Sequence, residues 1–205
     1  MLRFCFSERA VCARALAATA KLCPGAVEER AFTKGILRGE GQVSFGGYSG
    51  QAFSPAGDKN RFVLPPSFRK AVKESSGGKT LCLTKHDRWN CLVGFGLSRK
   101  EEFEQQLDRE EEMAFKFGRE FDRETRSSQL NGFSELSFDD SGRFVMPDFL
   151  RDLADIKDGL YFQGGGRFFT IWNPVELARM GDDWAAAKAA CAALVAEARA
   201  KGGKK

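Results

Sequence analysis

Two arginines head nearly identical apolar runs, Arg61 before Phe62-Val-Leu-Pro65 and Arg143 before Phe144-Val-Met-Pro147. The stretches align without gaps at an offset of 82 residues, so Asn60 matches Gly142 and Arg69 matches Arg151. A guanidinium in this setting suits two-pronged recognition of a guanine edge or a phosphate, which needs neither acid–base nor redox chemistry. Lys59 beside Arg61 and Lys70 beside Arg69 add charge in the first copy, whereas Asp152 stands where Lys70 would repeat. The competing reading is that the arginines brace their own hairpins, with Asp139 tying Arg143 into the fold.

Other chemistries are poorly provided for. The six cysteines, at 5, 12, 23, 82, 91 and 191, form no Cys-x-x-Cys pair, and His86 is the single histidine. Zinc needs close-spaced thiolate and imidazole ligands, so no metal site is assigned. No nucleophile stands with a separate base, and Gly164-Gly-Gly166 lacks the lysine of a phosphate loop and reads as a hairpin turn. The expectation is a protein that is not an enzyme, with no catalytic residue, no cofactor and no small-molecule substrate. The absence of any run of about 18 apolar residues argues against a membrane partner.

The elements that carry the arginines follow from local turn chemistry. Gly57-Asp-Lys-Asn60 and Asp139-Asp-Ser-Gly142 precede the two arginines, and Asn60 and Gly142 both tolerate positive φ, as a tight hairpin requires. Pro65 and Pro147 end each strand and suit the start of a helix. The following segments, 65–72 and 147–153, read as short helices with Phe68, Val72, Leu150 and Leu153 inward and Arg69 and Arg151 free to point outward. Further on, Leu81-Cys-Leu-Thr-Lys-His-Asp-Arg88 resembles Leu160-Tyr-Phe-Gln-Gly-Gly-Gly-Arg167 at an offset of 79. One such module of about 45 residues is too small to bury a core, so two copies are expected to interleave strands and share one.

Charge is divided along the chain. Residues 43–97 hold eight Lys/Arg against three Asp/Glu, residues 98–132 seven against ten, and residues 133–176 four against eight. A basic first half suggests a face that meets a polyanion. Between the copies, Ser98-Arg-Lys-Glu101 reads as a capping box, and Phe103, Leu107, Met113, Phe117 and Phe121 as the apolar stripe of a helix. The run Glu110-Glu111-Glu112 reads as a solvated face, or as a surface for a basic face on another subunit. From Asp183 to Ala200 the chain is Ala-rich, with Trp184, Ala187, Cys191 and Leu194 as a packing face and a tail from Gly202 to Lys205 expected to be disordered.

Two readings stand for residues 1–42. One is a poorly ordered extension of Ala/Arg character, too interrupted by Arg3, Arg9, Arg14 and Lys21 for a secretory signal. The other is a mis-assigned start, because GTG, an alternative start codon, is one of the valine codons open to Val43, and Gly39-Glu-Gly-Gln42 can be encoded by a purine-rich stretch.

An acidic residue, a Gly/Asn-Arg turn, an apolar run ending in Pro and a short helix with Arg resemble the AbrB-type DNA-binding half. Two such halves separated by acidic helices resemble the MraZ family of transcriptional regulators of the bacterial division and cell-wall gene cluster, over about Phe45 to Asp183. Three features depart from the family pattern: Gly57 stands where the second copy has Asp139, Asn60 stands where Gly is usual, and Phe45-Gly-Gly47 stands where the family typically shows Phe-Arg-Gly.

The resemblance implies an α+β fold. In it, two AbrB-like swapped-hairpin modules form an intramolecular pseudo-dimeric β-barrel with peripheral acidic helices and a C-terminal helix. The expected divisions are 1–42, module 1 at 45–97, linking helices at 98–129, module 2 at 130–180 and a helix with a basic tail at 181–205. The implied partners are double-stranded promoter DNA and further copies of the chain in a ring that reads short direct repeats. The implied role is repression of the cluster, including its own operon, in a cytoplasmic, nucleoid-associated protein. By position, DNA contact falls on Lys59, Arg61, Arg69, Lys70 and Arg143, with most of it expected from the first copy. The alternative is a protein-binding ring or antitoxin-like module acting through its acidic helices.

Overall fold

The computed structural model describes residues 46–202, within the compact unit that runs from Val43 to Lys205. The readings made for residues 1–42 and for the last residues of the tail lie outside it. The first half contributes β1 (Gln51–Pro55), a 3-10 turn (Asp58–Asn60), β2 (Arg61–Val63), α1 (Pro66–Ser76), β3 (Thr80–Lys85) and β4 (Leu92–Phe95). A second 3-10 turn (Leu97–Glu102), α2 (Phe103–Lys116) and α3 (Arg123–Asn131) follow. The second half repeats the order with β5 (Ser134–Ser137), β6 (Arg143–Val145), α4 (Asp148–Leu153), β7 (Gly159–Gly164) and β8 (Phe169–Trp172). The chain continues with α5 (Pro174–Ala178), a 3-10 turn (Asp182–Trp184) and α6 (Ala185–Gly202).

The fold is α+β with antiparallel strands throughout. Six strands form one sheet in the order β1-β7-β8-β4-β3-β5, and β2 pairs only with β6 in a separate two-stranded ribbon. Replacing each strand by its counterpart in the other half turns the six-strand order into its own reverse. Thus β1 of the first half pairs with β7 of the second, and β5 of the second pairs with β3 of the first.

The expected closed barrel does not form, because β1 and β5 remain open edges of the large sheet. Pro65 and Pro147 follow shortly after β2 and β6 and stop them at three residues each, too short to bridge those edges. The ribbon is instead tied to β1 by the Val63 N–H, which donates to the buried Ser54 Oγ at 3.1 Å.

Alternation along the ribbon explains its packing. Phe62 and Phe144 face inward, fully buried, with ring centroids 6.2 Å apart. They join Leu64, Phe68, Val72, Leu81, Phe162 and Phe169 in the main core. A smaller cluster lies under α6, where Ala187 and Cys191 pack with Tyr161, Trp172 and Leu177, and Trp184 and Leu194 close its margin. All three tryptophans meet there, with Trp184 edge-on to Trp89 and Trp172 at 4.8 and 5.0 Å.

Three helix readings are corrected, the first being Leu153, expected inward on α4 but 49% exposed. Ser98 does not cap α2: its hydroxyl is bonded to Ser75 Oγ at 2.6 Å, the segment winds as a 3-10 turn, and α2 begins at Phe103. The apolar stripe is buried only at Phe103 and Leu107, whereas Met113 and Phe117 are 50% and 66% exposed. The helix stops at Lys116, just before Gly118 at φ 61, so its far end never reaches the core.

Candidate nucleic-acid interface

The register of the ribbon sets the candidate surface. Arg61 lies opposite Val145 and Val63 opposite Arg143. Side chains at alternate positions share a face, so Arg61, Val63, Arg143 and Val145 all point away from Phe62 and Phe144. All four are exposed. The two copies of the motif therefore present one surface: two arginines on one diagonal and two valines on the other.

The turns at either end are built reciprocally. Leu64 N–H donates to Gly142 O at 2.7 Å and Met146 N–H to Asn60 O at 3.1 Å, so each turn closes on the strand end of the other half. Asn60 and Gly142 both hold positive φ, 55 and 83, as their types predict, and Lys59 adopts φ 56 as well. Gly142 cannot be replaced without movement, because a Cβ there would lie 2.7 Å from Leu64 O.

Arg69 and Arg151 do not point freely outward. Arg69 Nη1 donates to the Asp140 carbonyl in the second turn at 2.9 Å, and Arg151 Nη1 donates to Asn60 Oδ1 in the first at 2.6 Å. Arg151 is further paired with Asp148 and Asp152. Each short helix thus uses its arginine to hold the turn of the opposite half. Sequence spacing could not show this, because the partners are 71 and 91 residues away.

Asp139 also acts otherwise than expected. Its Oδ1 accepts the Arg143 backbone N–H at 2.8 Å and so shapes the turn, while its other oxygen stands 3.9 Å from the guanidinium, whose side chain is 66% exposed. Arg143 therefore remains presented to solvent. Arg61 and Lys59 are exposed and make no side-chain hydrogen bond or ion pair among the described residues, and Lys70 has only a long 3.9 Å pair with Glu74. Lys73 and Lys79, not singled out in the sequence, stand beside the second turn, 3.8 and 2.7 Å from Asp140 Oδ1. A signal was present: the repeat aligns them with Asp155 and Asp158, so their charge is specific to the first half.

The acidic helices are occupied by their own cations. Arg123 binds Glu104, Asp108 and Glu111, Arg126 binds Glu110 and Asp87, and Lys116 binds Glu112. The Arg126 hydrogen bond holds the Glu110 carboxyl below the usual carboxylate range. The run Glu110-Glu111-Glu112 is thus neutralised internally. No group of His, Cys, Asp and Glu among the described residues could hold a metal, and no described helix is long and apolar enough to cross a membrane.

No family model matches the chain. It is similar to proteins named transcriptional regulator MraZ. That of Roseiflexus castenholzii is 31% identical over 118 residues, covering 57% of this chain and 74% of the relative. That of Parvibaculum lavamentivorans is 32% identical over 128 residues, covering 62% and 76%. That of Gluconacetobacter diazotrophicus is 27% identical over 147 residues, covering 71% and 89%.

Proposed function

The chain belongs to the MraZ family of transcriptional regulators, and from that premise we propose that it binds double-stranded DNA through the exposed face of the β2–β6 ribbon. The observation that carries this reading is the pairing of Arg61 with Arg143 on one solvent-facing surface. Guanidinium groups there are free to take guanine edges or phosphates, and Val63 and Val145 offer apolar contact to thymine methyls. Lys59 and Lys70 add backbone contacts. Arg69 supports the surface by fixing the second turn. The first-half lysines enlarge the basic area, but both halves supply an arginine to the face.

In this reading residues 45–97 and 130–180 are the two AbrB-like swapped-hairpin modules. Residues 98–129 link them, and residues 181–205 form the C-terminal helix and tail. The protein acts as a nucleoid-associated repressor of the division and cell-wall cluster that includes its own operon, and several copies in a ring read short direct repeats. A single ribbon face is small, so affinity comes from several faces engaged together. The exposed Met113, Phe115 and Phe117 at the end of α2 support a contact between copies. The antitoxin-like alternative, acting through acidic helices, is disfavoured by the internal pairing of those acids.

Binding to the DNA upstream of the gene, followed by fluorescence anisotropy over a salt series, tests the reading. Arg61→Ala and Arg143→Ala should each weaken binding by about 1–3 kcal/mol if they read bases, and flatten the salt slope by about one if they hold phosphate. Wild-type affinity in both variants would overturn it.

A further inference from the structure

The two turns beside the ribbon differ in how their charges are arranged. The first turn carries Asp58 beside Lys59, and the cleft of about 500 Å³ next to it is lined by Arg151 and Lys157 as well as Asp152 and Asp155, so its charges are mixed. In the second, the acid Asp140 lies in the turn and the cations lie around it. Lys79 Nζ is 2.7 Å and Lys73 Nζ 3.8 Å from Asp140 Oδ1, while Arg69 Nη1 donates to the Asp140 carbonyl. The Asp140 side chain is 83% exposed. Its lysine partners keep its carboxyl below the usual carboxylate range, the Lys79 hydrogen bond most of all.

An ion pair this exposed does little for stability. What the arrangement does is hold a single negative charge, spread over two oxygens, between two ammonium groups. A phosphodiester presents the same charge on the same number of terminal oxygens. The turn that carries Asp140 leads directly into Arg143 on the ribbon face, so a duplex lying across that face brings its backbone to the same place.

We propose that Lys73 and Lys79, beside Arg69, form a DNA-phosphate site that Asp140 occupies in the free protein and that the DNA backbone takes over on binding. This inference rests on the ribbon reading and extends it. Displacing Asp140 costs the same on every sequence, so the acid lowers affinity throughout and leaves the ratio between sequences to Arg61 and Arg143. Asp140 is thereby a residue that sets the overall affinity for the DNA backbone without touching a base.

The test compares wild type, Asp140→Asn, Asp140→Asn/Lys73→Gln/Lys79→Gln and, as a control with the same charge change elsewhere, Glu101→Gln. Each is measured on the upstream duplex and on a scrambled duplex over a salt series. Asp140→Asn should tighten binding to the scrambled duplex about three- to fivefold, more than Glu101→Gln does. The two lysine substitutions should abolish that gain and flatten the salt slope by about one. Equal affinities for Asp140→Asn and Glu101→Gln, or a gain that survives loss of both lysines, would overturn the proposal.

Elution from immobilised heparin reads the anion site without DNA specificity. Later elution of Asp140→Asn than of Glu101→Gln, reversed by the lysine substitutions, supports the site even if wild type binds neither duplex, a result that would refute the ribbon reading alone. Coincident elution of Asp140→Asn and Glu101→Gln overturns the site.

Discussion

At the scale of single residues, chemistry is governed by what surrounds each group. The three described cysteines illustrate this. Cys82, Cys91 and Cys191 are buried, and burial pushes their thiols up to about 11, 12 and 11. A thiolate is the reactive form, so these groups are inert packing elements. The folded state holds their protons more tightly than the unfolded chain, whose thiols titrate near 9. Their contribution to stability is therefore complete below pH 9 and is lost as pH rises towards 11 or 12. Thermal melts from pH 8 to 11 should show a falling Tm, and Cys91→Ala should lessen that fall. An unchanged slope in Cys91→Ala would show that the thiol is not the titrating group. The arginines make the same point: Arg61 and Arg151 belong to the same motif, yet one is presented to solvent and the other is pinned to Asn60.

At the scale of elements, the β2–β6 ribbon is the decisive unit. Three-residue strands have little stability of their own, and Phe62 and Phe144 hold this pair against the core. Phe144→Ala should lower the stability of the whole fold by about 3–5 kcal/mol, measurable by urea denaturation. A loss below about 1 kcal/mol would mean that the ribbon is not anchored as described. Much of this element was legible beforehand, because the repeated Arg-Phe-Val run, the positive-φ residues and the closing prolines each have a local cause. The pairing partner was not, since nothing in either copy specifies that β2 pairs with β6 and with no other strand. The helices were legible in part. The face of α6 followed its sequence pattern, whereas α2 lost its expected cap to Ser75, a hydroxyl 23 residues away.

At the scale of the whole molecule, two halves share one core and one face. The far end of α2 departs from this economy, exposing Phe115 at 86% and Phe117 at 66% with Met113 beside them. Arg109 and Arg119 line the same groove as Met113 and Phe117. Clustered aromatic exposure marks association sites more often than free surface. On the proposed contact between copies, Phe115→Asp with Phe117→Asp should leave the monomer folded but lower the mass measured by size-exclusion chromatography with light scattering. An unaltered mass would remove α2 from the subunit contact.

The sequence alone determined the duplication, which shows in the aligned runs, and the turn types and short helices, each of which depends on residues within about ten positions of one another; it named the motif arginines without deciding which of them stay exposed. Tertiary structure decided what those arginines do. It placed Arg61 and Arg143 on one face through a strand register, turned Arg69 and Arg151 inward onto the opposite turns, and set Lys73 and Lys79 around Asp140. These are contacts between residues 61 to 91 positions apart, or between strands of different halves. Their energies come from closing one chain on itself, and local pattern carries no record of which partner will be met.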